Sequence, residues 1–420
     1  MSSDAGLWTC PFCPLLCDGF AVEVAAGQPL SLRGSECPRG RAGLALFDAA
    51  PLVAAQPSLG GVVCDLDTAI VASAALLGKS YQPLFGGLGT DVAGARALYA
   101  LAETTGAISD HAEGAELMHA VRAAQDRGGY STTLAEVRSR ADLVVCIGGL
   151  PTERHPEFLR RMALLPGDPR LALIGASVVA ADEGAGAGSG AVTGADREVD
   201  SGPLFDTVAR LAALVEKRSG VGAAPELTAL AERLRAAKYA VLVYETARLP
   251  RHGALIIEMI QRIVATLNRH TRAAALALGG GGGAATVNES FTWLSGLPLR
   301  QRVGPFGLEH EPVLYDAARL IKDRAVDLLL WVSSFSVAPC PPGDGLPRIV
   351  IGHPALAHGG AEVFIPVTTP GIGSAGHLFR TDGGVLLPLH ALRADGLPTL
   401  AEVLGRIVRA MRSQALPEAA

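Results

Sequence analysis

A recurring unit of helix and continuous apolar run constrains the fold of this chain most. In one copy LAEVRSR, beginning at Leu134, precedes ADLVVCIGG; in another LYDAARLIKDR, beginning at Leu314, precedes VDLLLWVSS. Further apolar runs lie near Ile174, Val243, Ile351 and Phe364. An unbroken apolar run of about six residues is typical of a strand buried on both faces of a parallel sheet. The alternation therefore predicts an α/β fold with mostly parallel sheets flanked by helices.

The chain is too long for one simple core, so we predict several lobes. It has 420 residues, of which 49% are apolar and 18% charged, and this composition can fill a large core. The predicted segments are a cysteine-rich amino-terminal lobe at 1–55, a doubly wound α/β lobe at 56–178, a flexible loop or linker at 179–203, a second α/β lobe at 204–278 and a carboxyl-terminal α/β lobe at 279–420. The linker assignment rests on Gly, Ala, Ser and acidic residues without periodicity.

Charge and hydropathy exclude several classes of protein. The net charge is −5, which gives no electrostatic case for nucleic-acid binding. A basic segment followed by an apolar stretch is missing near the first residue, and no window has the apolar length of a membrane span. We therefore predict a cytoplasmic protein that does not contact a membrane. Neither a G-x-S-x-G elbow nor a Walker loop occurs, which argues against the hydrolases and kinases that use them.

Four of the seven cysteines form the most informative motif for function. They follow the spacing Cys10-x2-Cys13-x3-Cys17-x19-Cys37. Thiolates two or three residues apart can point at one centre from a tight loop, and a fourth can close a four-coordinate shell. The spacing predicts a metal-ligand set, and it fits a four-iron iron–sulfur cluster or a structural zinc; thiols without metal are the third alternative. The isolated Cys64, Cys146 and Cys340 are predicted to be ordinary core residues.

Glycines and histidines give weaker signals. Gly279–Gly283 are five consecutive glycines after an apolar run, where backbone N–H groups could approach a phosphate, although a flexible turn is the simpler interpretation. His155 follows a predicted strand end, on the side where α/β proteins bind ligands. His353, His358 and His377 lack the spacing of a helical zinc site.

Four segments, in this order, carry a resemblance to a known family. They are CPFCPLLCDGFAVEV with GSECPRGRAG, then AQDRGGYSTTLAEVRSRADLVVCIGGLPTERHPEF, then ESFTWLSGLP, and last AEVFIPVTTPGIGSAGHLFRTDGGVLLPL. Together they resemble the B subunit of formylmethanofuran dehydrogenase, a molybdopterin or tungstopterin enzyme related to the formate dehydrogenases and to dimethyl sulfoxide reductase. The resemblance spans nearly the whole chain. It implies a multi-lobed fold of that class with a small cysteine-rich lobe.

The residues expected at the redox site depart from the family pattern. The resemblance implies a cysteine or selenocysteine bound to the metal and followed by a histidine; here these positions hold Met118 and His119. A thioether is neutral and a weak donor beside a thiolate, so it cannot replace the anionic sulfur. Gly279–Gly283 also stand where catalytic relatives have polar residues facing the pterin. We therefore expect molybdopterin or tungstopterin to be absent, with Met118 and His119 as vestiges of the site.

This pattern resembles the B subunit of the formyltransferase/hydrolase complex of methylotrophic bacteria. The resemblance implies a non-catalytic scaffold in a complex that converts formyl-tetrahydromethanopterin to formate through a methanofuran-type carrier, during formaldehyde oxidation. The implied partners are the amidohydrolase-like A subunit, the C subunit, and the formyltransferase D subunit. Two alternatives stay open: a catalytic subunit of a molybdenum or tungsten formylmethanofuran dehydrogenase with His119 as proton donor, and a free-standing oxidoreductase of the same class.

Overall fold

The computed structural model describes residues 7–25, 28–47, 55–175, 198–199, 202–338 and 345–415. The strands in these residues are β1 (Ala21–Glu23), β2 (Ser31–Arg33), β3 (Ser58–Leu59), β4 (Val62–Val63), β5 (Pro83–Gly89), β6 (Ile108–Ser109), β7 (Leu143–Ile147), β8 (Leu171–Ile174), β9 (Glu198–Val199), β10 (Tyr239–Glu245), β11 (Arg272–Leu278), β12 (Gln301–Gly304), β13 (Gly307–His310), β14 (Leu328–Ser333), β15 (Arg348–Gly352), β16 (Val363–Pro366), β17 (Gly376–Phe379) and β18 (Leu386–Leu389). The helices are α1 (Pro38–Ala45), α2 (Leu66–Lys79), α3 (Val92–Thr105), α4 (Gly114–Arg127), α5 (Leu134–Arg140), α6 (Phe158–Met162), α7 (Leu204–Val215), α8 (Pro225–Ala236), α9 (Gly253–Leu267), α10 (Ala284–Ser295), α11 (Ala317–Lys322) and α12 (Leu400–Ala415). Short 3-10 turns lie at Thr246–Arg248 and Gly281–Gly283.

The chain divides into two compact units. Unit 1 comprises Met1–Gly114, Gly280–Arg380 and Val385–Ala420, and unit 2 comprises Ala115–Gly279 and Thr381–Gly384. The five predicted segments follow the order of the chain, whereas both units are discontinuous. The difference arises because the chain leaves unit 1 after Gly114 and returns to it at Gly280, one residue from the predicted boundary at 278/279.

Unit 2 contains a five-stranded, wholly parallel sheet. Its strand order is β11-β10-β7-β8-β9, and every neighbouring pair is parallel. All seven residues of β10 and all five of β7 are buried, which is why these strands show as continuous apolar runs in the sequence. The apolar faces of α7, α8 and α9 join the same core. The predicted helix and strand that begin at Leu134, and the predicted strands near Ile174 and Val243, are confirmed.

Unit 1 contains a nine-stranded mixed sheet of order β13-β12-β6-β5-β14-β15-β16-β3-β4. The middle strands β6, β5, β14, β15 and β16 are parallel, and the hairpins β12–β13 and β3–β4 join antiparallel at the two edges. The two-stranded sheets β1–β2 and β17–β18 complete this unit in the described part of the chain. An α/β fold with parallel and mixed sheets is therefore confirmed.

Two sequence predictions fall on residues without a described structure. Most of the predicted linker at 179–203 and the isolated Cys340 lie outside the described residues. The described part of that linker includes β9, which pairs with β8. Among the described helices, none combines the length and apolar character needed to cross a bilayer.

Candidate functional site

The cysteine loop, residues 10–17, is closed by its own backbone. The Cys10 N–H donates to the Cys17 carbonyl at 2.9 Å, and the Leu16 N–H donates to the Cys13 carbonyl at 3.0 Å. Leu16 has a φ of +42°, in the left-handed region that non-glycine residues rarely adopt. The tight turn holds the first three cysteines within one short loop, as their spacing predicts.

The fourth cysteine reaches this loop from the start of α1. Cys37 is the N-cap residue of α1, and its N–H donates to Ser35 Oγ at 2.9 Å. A Cβ placed on Gly40 would lie 3.8 Å from Cys10 Sγ and 3.7 Å from Cys37 Cβ. The first turn of α1 therefore lies within contact distance of Cys10.

All four thiols are buried, and burial sets the pKa of Cys10. Cys10, Cys13, Cys17 and Cys37 are all buried, with exposed fractions of 4 to 8%. Burial raises the pKa of the Cys10 thiol well above its ordinary value, a hydrogen bond from the Phe12 backbone N–H opposes the shift, and the charges of Cys17, Cys13 and Cys37 raise the pKa further. The Cys10 thiol is therefore protonated and neutral near pH 7.

The four cysteines have the donor atoms of a metal site, but their side chains do not converge on one point. Four buried thiols are the donor set of a four-iron cluster or a structural zinc. Within the described residues, which include all four cysteines, no three or more His, Cys, Asp or Glu side chains converge as metal ligands. As placed, the sulfur atoms do not form a closed coordination shell, so a metal at these four cysteines stays a prediction, and we assign no reaction step to one.

The polyglycine turn leads directly into α10. Gly280, Gly282 and Gly283 have φ values of +77°, +59° and +91°. A Cβ on Gly283 would lie 2.8 Å from the Thr90 nitrogen and would overlap the Thr90 carbonyl oxygen. Positive φ and close backbone approach both require glycine here. The turn is thus explained by chain packing, without a phosphate ligand.

The same turn packs against the cysteine loop within unit 1. A Cβ on Gly281 would lie 3.6 Å from the Cδ of Pro14. The space between the two loops, lined also by Cys13, Leu16 and Phe379, has a volume of about 10 Å³. Such a space has room for about one water molecule.

Met118 and His119 lie on α4. Met118 is 3% exposed and belongs to the buried side of the helix. His119 is half-buried, and a Cβ on Gly253, at the start of α9, would lie 2.8 Å from His119 Cδ2. The imidazole therefore packs against a helix start in unit 2. The burial of Met118 and the packing of His119 on Gly253 are both typical of residues with a structural role.

His155 lies in a buried charged cluster that the sequence only partly indicates. It follows β7 at the carboxyl edge of the parallel sheet, as predicted, and its Nδ1 lies 3.6 Å from Glu245 Oε1. Arg154 Nε lies 3.3 Å from the same oxygen. Burial raises the pKa of Glu116, on α4, and the nearby Arg154 lowers it in part. The sequence motifs do not include Glu245, although a carboxylate as the last residue of the apolar run YAVLVYE is a recognisable signal.

A second buried ion cluster has no signal in the sequence. Asp110 and Arg300 are 2% and 5% exposed, and Arg300 Nε donates to Asp110 Oδ1 at 3.2 Å. Arg300 also donates to Asp316 at 2.5 Å, and the Ala317 N–H donates to Asp110 Oδ2 at 2.9 Å. Burial raises the pKa of Asp110 to about 6, opposed by Arg300. Asp110 and Arg300 are 190 positions apart, so no local pattern connects them.

His353, His358 and His377 have different surroundings. Burial lowers the pKa of His353 to about 4, and its ring meets Phe47 edge-on at 4.8 Å. The His358 ring stacks on Phe364 at 4.3 Å, and His377 is exposed on β17.

The parallel and mixed sheets place the chain in a class of large α/β proteins. Acetylene hydratase from Pelobacter acetylenicus has the same fold, with a TM-score of 0.63 at 9% identity over 97% of this chain and 69% of that chain. No protein-family model matches the chain. At this level of identity the likeness concerns the fold alone.

Sequence similarity then identifies the family. The B subunit of the formyltransferase/hydrolase complex of Methylorubrum extorquens is 31% identical over 358 residues, which are 84% of this chain and 96% of that protein. The crystal structure of the formyltransferase/hydrolase complex from the same bacterium, with methylofuran, contains a chain that matches with a TM-score of 0.73 at 29% identity, over 86% of this chain and all of that chain. The chain therefore belongs to the family of the formyltransferase/hydrolase complex B subunits.

The family is related to a redox enzyme. The B subunit of a tungsten-containing formylmethanofuran dehydrogenase from Methanococcus maripaludis is 32% identical over 163 residues, which are 37% of each chain. The resemblance inferred from the four sequence segments is confirmed.

Proposed function

We propose that this chain is the non-catalytic B subunit of a formyltransferase/hydrolase complex that converts formyl-tetrahydromethanopterin to formate through a methanofuran-type carrier. The observation that carries the proposal is the match to the M. extorquens protein over 96% of its length. The chemistry of the chain supports it, because Met118 is a buried thioether where a redox relative needs a thiolate. The chain's role would be to hold catalytic subunits in place.

The proposed partners are the amidohydrolase-like A subunit, the C subunit, and the formyltransferase D subunit. The related structure from M. extorquens is the FhcABCD complex with methylofuran bound, which supports this assignment. Hydrolysis would take place on the A subunit, and transfer on the D subunit. The cytoplasmic location predicted from the sequence is part of the same proposal.

We further propose that the chain carries no molybdopterin or tungstopterin. Support comes from the 10 Å³ space between the polyglycine turn and the cysteine loop and from the packing of His119 on Gly253. If Cys10, Cys13, Cys17 and Cys37 hold a four-iron cluster or a zinc ion, the metal would be structural, linking the loop to α1. The Cys10 thiol would have to lose its proton on binding.

Metal analysis of the complex tests the proposal. The complex is purified without oxygen, and iron, zinc, molybdenum and tungsten are measured per copy of this chain by plasma mass spectrometry. We expect molybdenum and tungsten at background, with the ratio of iron to zinc showing what the cysteines bind. Either molybdenum or tungsten at close to one atom per chain would refute the scaffold role and show that this chain is a redox subunit.

A further inference from the structure

The hairpin of β12 and β13 and the residues directly after it expose four large apolar side chains. Phe306, at its tip, is 97% exposed, and Leu308 on β13 is 45% exposed. Val313 and Leu314 follow with exposed fractions of 53% and 49%. Single exposed apolar residues are common, but four within one short stretch indicate a contact surface.

Buried ion pairs hold the base of this hairpin. Arg300, directly before β12, is bound by Asp110 and Asp316 and donates to the Pro312 carbonyl. This anchor fixes both ends of the hairpin to unit 1, because Pro312 and Asp316 follow β13. The buried guanidinium cannot leave without exposing uncompensated charge, so the anchor resists movement.

A second set of contacts stiffens the hairpin itself. Arg302 Nε donates to Glu309 Oε2 at 2.7 Å across the two strands, and the Tyr315 hydroxyl donates to the same oxygen at 2.6 Å. The last pair of the strand register joins Gly304 to Gly307. Pro305 and Phe306 therefore form a two-residue turn at the tip. A rigid tip loses little conformational entropy when another molecule binds it.

The hairpin also lies at an exposed edge of a sheet. β13 is the outermost strand of the nine-stranded sheet, so one side of its backbone has no strand beside it in the described chain. Edge strands are normally protected from pairing by charged side chains that point outward. Here Glu309 is engaged by Arg302 within the hairpin, and Leu308 is half-exposed. The backbone edge is open and Leu308 exposes an apolar side chain beside it, which suits a strand that another protein covers.

We propose that the β12–β13 hairpin is a docking element for a different subunit of the complex, with Phe306 inserted into an apolar pocket of that subunit. This inference rests on the proposed function, and the related complex, built from four kinds of chain, favours a different chain over a second copy. A buried aromatic side chain at the centre of a contact contributes strongly to binding. Leu308, on the same hairpin, would extend the apolar contact next to Phe306.

Charge placed at the tip tests the docking element. Phe306→Glu and Phe306→Ala are compared with Tyr81→Glu, because Tyr81 is likewise 97% exposed in unit 1. Each variant is titrated with a purified assembly of the A, C and D subunits, and binding is followed by calorimetry. We expect Phe306→Glu to weaken binding at least about tenfold and Phe306→Ala to weaken it less, while Tyr81→Glu binds like the parent chain. Thermal melting of each free variant should match that of the parent, since the side chain is exposed.

Other outcomes overturn the inference in distinguishable ways. If the parent chain does not bind the partner assembly, the proposed function fails together with the inference. If both Phe306 variants bind like the parent, the docking element fails while the proposed function stands. If Phe306→Glu instead abolishes a dimer of this chain and leaves partner binding unchanged, the hairpin pairs with a second copy and the assigned partner is wrong.

Discussion

At the residue scale, burial decides which thiols can react. Cys10, Cys13, Cys17 and Cys37 are buried. The prediction that Cys64 is a core residue is wrong, because its side chain is partly exposed. In a Cys340→Ser chain we expect a maleimide at pH 7 to modify Cys64 first, because reaction needs an accessible thiolate. Mass spectrometry of peptides locates the label, and a further Cys64→Ser change should remove it. Early labelling of the four amino-terminal cysteines would show that their loop opens in the native chain.

Asp110 gives a prediction for the pH dependence of stability. Its pKa in the folded chain is about 6, against an ordinary value of about 3.9 in the unfolded chain. Between these values the folded chain holds the extra proton, so the stability contribution is largest at low pH and is lost as the pH rises from about 4 to about 6. The loss should be on the order of 2 kcal/mol.

Denaturant unfolding between pH 4 and 7 measures this effect. The Asp110→Asn variant should lose that part of the pH slope, because the amide does not titrate. The free energies of unfolding are compared as differences between the two chains at each pH, so that the contributions of distant titrating groups cancel. The pKa assignment is refuted if both chains have the same slope.

Which site residues the sequence can reveal depends on how local their contacts are. The family motif of a metal-binding cysteine followed by a histidine identifies the position of Met118. The burial of Met118 is typical of a core residue. The Asp110–Arg300 pair joins positions 190 apart, so only the fold brings it together. Glu245 has a local signal, a charge at the end of a buried strand, but it belongs to none of the cysteine and histidine motifs that mark the other candidates.

At the element scale, long buried strands are predictable and short ones are not. β10 and β7 stand out because parallel strands buried on both faces are uniformly apolar. β3 and β4 have two residues each, too few for any alternation to show. The β12–β13 hairpin turns at G-P-F-G, but this turn signal lies between strands that mix polar and apolar residues and so lack a clear pattern.

The polyglycine turn gives a prediction at this scale, with its control one residue away. Gly283→Ala places a Cβ onto the backbone of Thr90 and holds alanine at a φ of +91°. Gly282→Ala meets open space and carries only the cost of a positive φ, about 1 kcal/mol. We expect Gly283→Ala to destabilise the chain by at least about 2 kcal/mol more than Gly282→Ala, measured by urea unfolding. Equal losses would mean that the turn is not packed against Thr90.

At the scale of the whole molecule, the order of the strands along the sequence differs from their order in the sheets. Unit 1 is assembled from residues up to Gly114 and from Gly280 onward, so its sheet pairs β14 with β5, strands that lie far apart in the sequence. The periodicity of a sequence predicts where each strand lies, but it does not predict which strands pair with it. The α/β class therefore followed from the sequence, whereas the grouping of strands into two units did not.

The scaffold role leads to a final prediction about the vestigial residues. In the assembled complex, His119→Gln should leave formate production within about twofold of the parent, because a packed imidazole without a thiolate neighbour has no reaction to assist. His270→Gln, at an exposed histidine of the same unit, is the matched control. Formate released from formyl-tetrahydromethanopterin is measured at equal amounts of intact complex. A loss of formate production of tenfold or more with His119→Gln alone, in fully assembled complex, would show that this chain takes part in catalysis. A purely structural residue cannot slow the reaction once the complex has formed.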